Sequence, residues 1–258
     1  MKITTDNTCY DSTIKVLEDN MEELIDEMMF MQHAQTAILL NDNYLIKDKE
    51  TQAVFESVLC RNQIKMNPNN HQKAYDFQHE DNKISIKSGT VSNGNLTFSY
   101  SRTTQYPTLD EKLNYLSTFE NLILGLASEK LKCDGENVLT KIRYHIYYFP
   151  ANFMDLKSMD WVETPNLYAA YEEESGICVE IKKKMSDQPW IRIPVDKIPC
   201  KAALTFSIMV LNNKKYLTIQ REDTGEKIHY DIADNRKKFK QIKGMQKCTI
   251  FTPKVAMA

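Results

Sequence analysis

Ile14, Leu17, Met21, Leu24, Ile25, Met28, Met29 and Met31 recur at helical spacing, with Glu18, Asp19, Glu22, Glu23, Asp26 and Glu27 between them. This pattern predicts one amphipathic helix over residues 13–40, its methionines packing in the core. Asn41-Asp42-Asn43 breaks the pattern, and a second helix is expected over about 47–61. Val54, Phe55, Val58 and Leu59 form its buried face, with Glu56 beside them. The period then changes. Ile64 and Met66 start a short extended piece, Asn67-Pro68-Asn69-Asn70 reads as a turn, and Ala74-Tyr75-Asp76-Phe77 as a strand. Glu80-Asp81-Asn82 is a polar turn, and Lys83-Ile84-Ser85-Ile86-Lys87 alternates as a strand does. Ser92-Asn93-Gly94-Asn95 is a hairpin signal that returns the chain as a third strand, Leu96 to Tyr100.

A helix is expected over about 108–131, entered through Pro107-Thr108 with Asp110 and Glu111 in its first turn. Ile142 to Phe149 follows as a buried strand rich in aromatic and β-branched residues. From about Ala151 the chain is strand-rich: 176–182, 190–195, 204–211, 215–220 and 227–231 carry strand character, with turns at Asn212-Asn213 and Asp223-Thr224-Gly225. The expected class is α/β, a central mixed sheet flanked by helices with a strand-rich C-terminal half. Residues 1–150 would hold the helices and the chemistry, and 151–258 a recognition part that is either separate or continuous with the core.

Composition narrows the class of partner. With 258 residues, 42% of them hydrophobic, the chain can bury a sizeable core. It has no apolar run long enough to cross a bilayer, and Met1-Lys2-Ile3-Thr4-Thr5-Asp6-Asn7 lacks the apolar core of a secretory signal, so a cytoplasmic protein is expected. Cys9, Cys60, Cys133, Cys178, Cys200 and Cys248 form no CxxC pair and are expected as free, mostly buried thiols. The net charge of −2 hides an asymmetry: residues 1–60 hold twelve Asp/Glu against four Lys/Arg, whereas 61–258 hold 29 Lys/Arg against 23 Asp/Glu. A basic C-terminal part suits the approach of a polyanion.

Asp76 and the run Ser85-Ile86-Lys87 carry the candidate chemistry. Residues i and i+2 of a strand share a face, so Ser85 and Lys87 project together, and the turn between the strands could bring Asp76 beside them. A carboxylate and a lysine at one point suit phosphodiester hydrolysis. The carboxylate would hold Mg²⁺, a hard ion that takes oxygen ligands, with the Ile86 carbonyl as a further ligand. Lysine would orient the attacking water and offset phosphate charge. An ordinary surface hairpin is the competing reading.

Tyr75-Asp76-Phe77, then Lys83-Ile84-Ser85-Ile86-Lys87-Ser88-Gly89, preceded by the helix around Phe55-Glu56-Ser57, resembles the PD-(D/E)XK nucleases and in particular type II restriction endonucleases. The resemblance covers roughly residues 45–150 and implies Asp76 as the metal-binding aspartate and Lys87 as the lysine of the motif. Tyr75 stands where proline is common, and Ser85 where the second acid is expected. Some members of that family bring the missing carboxylate from another element; Glu56 is then the first candidate and Glu50 the second, although a helical glutamate is commonly just solvated.

Three segments are candidates for holding DNA. Arg102, among hydroxyl residues 99–106, is either a phosphate clamp or part of a capped turn. The loop with Lys183, Lys184, Ser186, Asp187, Gln188 and Arg192 carries side chains able to read base edges, though a lysine run is more commonly a solvated face, and Trp190 is expected to pack. Arg236 to Lys243, with Lys237 and Lys238, holds no acid and suits backbone attraction that salt weakens. The expected activity is site-specific cleavage of double-stranded DNA, with a homodimer as a possible form and a cognate DNA methyltransferase as a genetic partner. A non-specific or structure-specific nuclease, an inactive nucleic-acid-binding module and a protein-interaction domain stay open.

Overall fold

The computed structural model describes residues 11–39, 46, 48–62, 64–67, 75–100, 106–118, 122–150, 155–183, 189–198 and 200–232. Two helices open it, α1 (Asp11–Asp19) and α2 (Met21–Leu39), where the pattern predicts one. The break is at Asn20, whose side-chain amide donates to the Val16 carbonyl at 2.7 Å and shares it with the residue's own backbone N–H at 3.2 Å. Helix α3 (Asp48–Leu59) follows and buries Val54, Phe55, Val58 and Leu59 as expected.

The strands are β1 (Lys65–Met66), β2 (Phe77–His79), β3 (Asn82–Ser92), β4 (Asn95–Ser99), β5 (Leu122–Lys130), β6 (Val138–Pro150), β7 (Trp161–Glu163), β8 (Leu167–Tyr171), β9 (Cys178–Lys182), β10 (Trp190–Pro194), β11 (Cys200–Leu211), β12 (Lys214–Arg221) and β13 (Lys227–Asp231), with helix α4 (Leu109–Thr118) before β5. They form one mixed sheet in the order β13-β12-β11-β6-β5-β3-β4-β10-β9-β8-β7, and β1 and β2 pair beside β3. Strands after residue 150 extend the sheet on both sides of the strands before it, so the strand-rich half shares that sheet. Asn93 (φ 50°) with Gly94 (φ 73°), and Asn212 (φ 50°) with Asn213 (φ 62°), adopt the left-handed backbone that tight hairpins need. No described helix is long and apolar enough to cross a membrane.

The expected helix over 108–131 is half wrong. Its second half is β5, which runs parallel to β3 in the middle of the sheet. Residues 122–128 are buried throughout, so the segment shows neither alternation nor helical period, and its leucines mimic a helix former. Strands β7, short and mostly exposed, and β8, short and mostly half-buried, carry no clear signal in the sequence.

Each face of the sheet has its own core. Helices α1, α2 and α3 cover one, packing Leu17, Leu24, Met28 and Phe55 on Ile84, Leu124, Tyr144 and Phe206. The Tyr144 hydroxyl donates to Gln32 at 2.9 Å and Tyr148 to Glu18 at 2.7 Å, tying helices to strand. The second core lies on the opposite face, where Phe98, Ile123, Tyr147 and Phe149 meet Leu113 and Leu116 of α4 and the apolar side of β9 and β10.

Candidate active site

The hairpin that presents Asp76 is fixed from below. Thr13 of α1 bonds to His79 Nδ1 at 2.8 Å and accepts from the Asn82 amide at 2.9 Å, all three side chains being buried. Strand β2 pairs with β3 only as far as Phe77 opposite Ile84. The Asp76 N–H makes one more rung to the Ile84 carbonyl at 2.9 Å, and there β2 departs. On the same side β4 begins pairing only at Gly89 opposite Phe98. Residues 85–88 therefore face an open fork, with no strand partner on that edge among the described residues.

A partly buried strand-edge N–H needs an acceptor, and here a side chain supplies it. Asp76 Oδ2 accepts from the Ile86 N–H at 2.8 Å, taking the place of the rung that β2 no longer offers. The Ser85 hydroxyl donates to the same oxygen at 3.4 Å, and Lys87 Nζ donates to Ser85 Oγ at 2.6 Å. The Lys87 ammonium also lies 5.3 Å from the centroid of the Tyr100 ring. Asp76, Ser85 and Lys87 are thus brought together as the spacing predicts. Because a residue's N–H and C=O leave a strand on the same side, the Ile86 carbonyl also faces the fork.

The helix acids stand differently. Ser88 Oγ donates to Thr51 Oγ1 at 3.0 Å, which seats α3 on the face of β3 that carries Ile84, Ile86 and Ser88. Ser85 and Lys87 leave by the other face. Glu50 and Glu56, both half-buried on α3, must reach round the strand edge to meet Asp76, and Glu56 has Cys60 as its electrostatic neighbour. Among the described residues no three His, Cys, Asp or Glu side chains gather as a metal site. The oxygen donors at the fork, one carboxylate, one hydroxyl and one carbonyl, nonetheless suit a hard ion that keeps several of its waters.

Among the expected DNA contacts, Lys183 is engaged: its ammonium is 2.5 Å from Glu163 Oε1 and 4.7 Å from the Tyr168 ring centroid. Arg192 is exposed, opposite Thr97 and Cys178, on the sheet face away from Lys87. Trp190 does not pack: it is 44% exposed on that outer face, because β10 turns its apolar side, Ile191 and Ile193, to the core instead. Arg102, Lys184, Ser186, Asp187, Gln188, Lys237 and Lys238 lie outside the described residues. Pro189, where the lysine-rich segment ends, accepts from the Tyr100 N–H at 2.8 Å. Cys60 and Cys133 are exposed and Cys178 is half-buried, which corrects the expectation of mostly buried thiols for these three.

Sequence patterns give no sign of Gly125 or of the Tyr147 hydroxyl, and mark Tyr100 only as a strand residue within the hydroxyl-rich segment 99–106, not as a neighbour of Lys87. The Tyr147 hydroxyl donates to the Lys87 carbonyl at 3.1 Å, and both it and Tyr100 are buried. An aromatic residue in a buried strand reads as packing, and only the register shows which atom its hydroxyl meets.

No protein-family model matches this chain, and neither a curated protein nor a solved structure does.

Proposed function

We propose that this chain is a Mg²⁺-dependent endodeoxyribonuclease of the restriction type, built on a restriction-endonuclease-like core and cutting both strands of duplex DNA at a short sequence. One observation carries the reading: Asp76 and Lys87, from adjacent segments, both bond to Ser85 at an open strand fork. Asp76, Ser85 and the Ile86 carbonyl would hold the ion, which when bound supplies a Lewis acid and lowers the pKa of coordinated water. The chain's own groups do the rest. Asp76 stays oriented by the Ile86 N–H. Ser85 fixes the Lys87 ammonium relative to that carboxylate. Lys87 orients the attacking water and offsets charge at the scissile phosphate. The bond between Pro189, which ends the lysine-rich segment, and Tyr100 beside Lys87 supports a DNA-reading role for that segment.

A second reading, a nucleic-acid-binding module without chemistry, is favoured by Ser85, a neutral hydroxyl where the family motif has an acid. Incubating the full chain with a mixed set of plasmids, with and without Mg²⁺, separates the two. Discrete fragments support the restriction type, and a smear a general nuclease. Salt-sensitive binding without cutting supports the module. Asp76→Ala and Lys87→Ala should each lower the cleavage rate about 10³-fold while the protein stays folded. Cleavage that persists in both variants removes this site assignment.

A further inference from the structure

Buried aromatic side chains hold Lys87 from two directions, and the two holds are joined. The ammonium end lies against Tyr100. The backbone carbonyl accepts from the Tyr147 hydroxyl. Between them Phe98 has its ring centroid 6.4 Å from that of Tyr100 and 6.3 Å from that of Tyr147, and Tyr147 stacks on Phe149 at 6.0 Å.

The carbonyl contact crosses a strand. Lys87 is registered with Gly125 of β5, and Gly125 with Tyr147 of β6, so the phenol reaches over β5 to touch β3. Glycine at 125 is what allows this. A Cβ there would lie 1.9 Å from the Lys87 carbonyl oxygen and 2.7 Å from the Tyr147 hydroxyl. The carbonyl thus occupies the volume of an absent side chain, on the one β3 residue whose lysine reaches the fork. Burial pushes the Tyr147 phenol far above the ordinary tyrosine range, so it remains a neutral donor.

We propose that Tyr147, acting through the opening at Gly125, is a positioning residue that fixes the Lys87 peptide and so the direction in which the lysine leaves the sheet, with Phe98 and Tyr100 bracing the ammonium end. Its effect on reaction rate rests on the nuclease reading above; its effect on Lys87 does not.

Full-length protein labelled with ¹³C,¹⁵N-lysine tests this, the Lys87 side-chain signals being assigned by their loss in Lys87→Arg. Folded Tyr147→Phe should shift those signals, and lower kcat about 10- to 100-fold with KM for DNA unchanged. Tyr100→Leu, which removes the other contact, should shift the same signals. Unmoved Lys87 signals in folded Tyr147→Phe overturn the proposal. Should that variant not fold, Tyr100→Leu decides: moved signals uphold the brace and unmoved ones overturn it. Moved signals with an unaltered rate in an active enzyme overturn the positioning role. Moved signals in a protein that cuts no DNA uphold the brace and remove the nuclease reading instead.

Discussion

Two polar clusters share one face of the sheet and are built on opposite plans. Farther along β5 and β6, Arg143 Nε lies 2.6 Å from Glu222 Oε1, and its Nη1 lies 3.3 Å from Glu129 Oε2. His145 Nε2 meets Glu129 at 3.0 Å, and the Thr205 hydroxyl donates to Glu222 at 2.6 Å. Each carboxylate there is answered by a cation or a donor, and the strands beneath are fully paired. At the fork, by contrast, a carboxylate and an ammonium meet on a neutral hydroxyl, beside a strand edge with a missing rung. A closed network uses its hydrogen-bonding capacity internally and acts on stability. An open one leaves oxygen donors at a strand edge, which is what the proposed ion site requires. The shallow polar depression lined by Lys141, Arg143, Thr205, Gln220 and Glu222 belongs to the closed cluster, so concavity alone is a poor guide to chemistry.

The two plans predict opposite mutational signatures, and the largest test of stability is Arg143→Ala. It leaves Glu129 and Glu222 facing each other without their shared cation. The side chains are a quarter to a third exposed, so solvent softens the penalty. We expect a loss of about 2 kcal/mol, seen as a lower urea midpoint at unchanged m-value, with cleavage per folded molecule unaltered. Lys87→Ala should do the reverse. If Arg143→Ala abolishes cleavage in a protein as stable as wild type, the two clusters do not divide stability and chemistry between them.

Much of the fork was legible in the sequence because it is local. Asp76, Ser85 and Lys87 lie within twelve residues, and the side-chain period of a strand decides which of them share a face. The hairpin turns were legible for the same reason, since Asn-Gly and Asn-Asn tolerate the left-handed backbone. What was hidden depends on partners far along the chain. Strand β5 is a strand only because β3 and β6 flank it, and the run Leu122 to Ala127 carries no trace of either in its own pattern. Tyr147 is 60 residues from Lys87, and α3 packs on the face opposite Lys87 through a register that no spacing encodes. Trp190 misled for a related reason. Its neighbours Ile191 and Ile193 fill the core, and alternation then obliges position 190 to face out.

The closed cluster should also reveal itself through acid. Burial alone raises the Glu222 carboxyl, but the bonds from Thr205 and Arg143 outweigh it and hold the group below its ordinary value of 4.5. A carboxyl depressed in the folded state contributes stability that is present above pH 4.5 and is lost as the pH falls through the lower, folded value. Wild type should therefore lose more stability between pH 6 and pH 3 than Glu222→Gln does, by about 1 kcal/mol. Equal acid sensitivity in urea titrations of the two proteins would show that the network is not closed as described.

The smallest effect tests the same rule from its other side, at a carboxylate that no cation answers in full among the described residues. Asp26 on α2 is raised above its ordinary value of 3.8, first by burial and then by Glu22, one helical turn earlier. Arg221 pulls the other way but is held by Glu22 and Asp223 through its own hydrogen bonds. A group whose folded pKa is raised favours folding below pH 3.8 and opposes it once the pH has passed the folded value, so at neutral pH Asp26 works against the native state. Asp26→Asn removes that charge without changing the shape of the side chain. The site is solvent-accessible, and screening reduces the gain to a few tenths of a kcal/mol at pH 7. It should vanish near pH 3, where both proteins are neutral at this position. A gain that persists at pH 3 would assign the effect to helix propensity or packing, and the electrostatic distinction between answered and unanswered carboxylates would lose its simplest case.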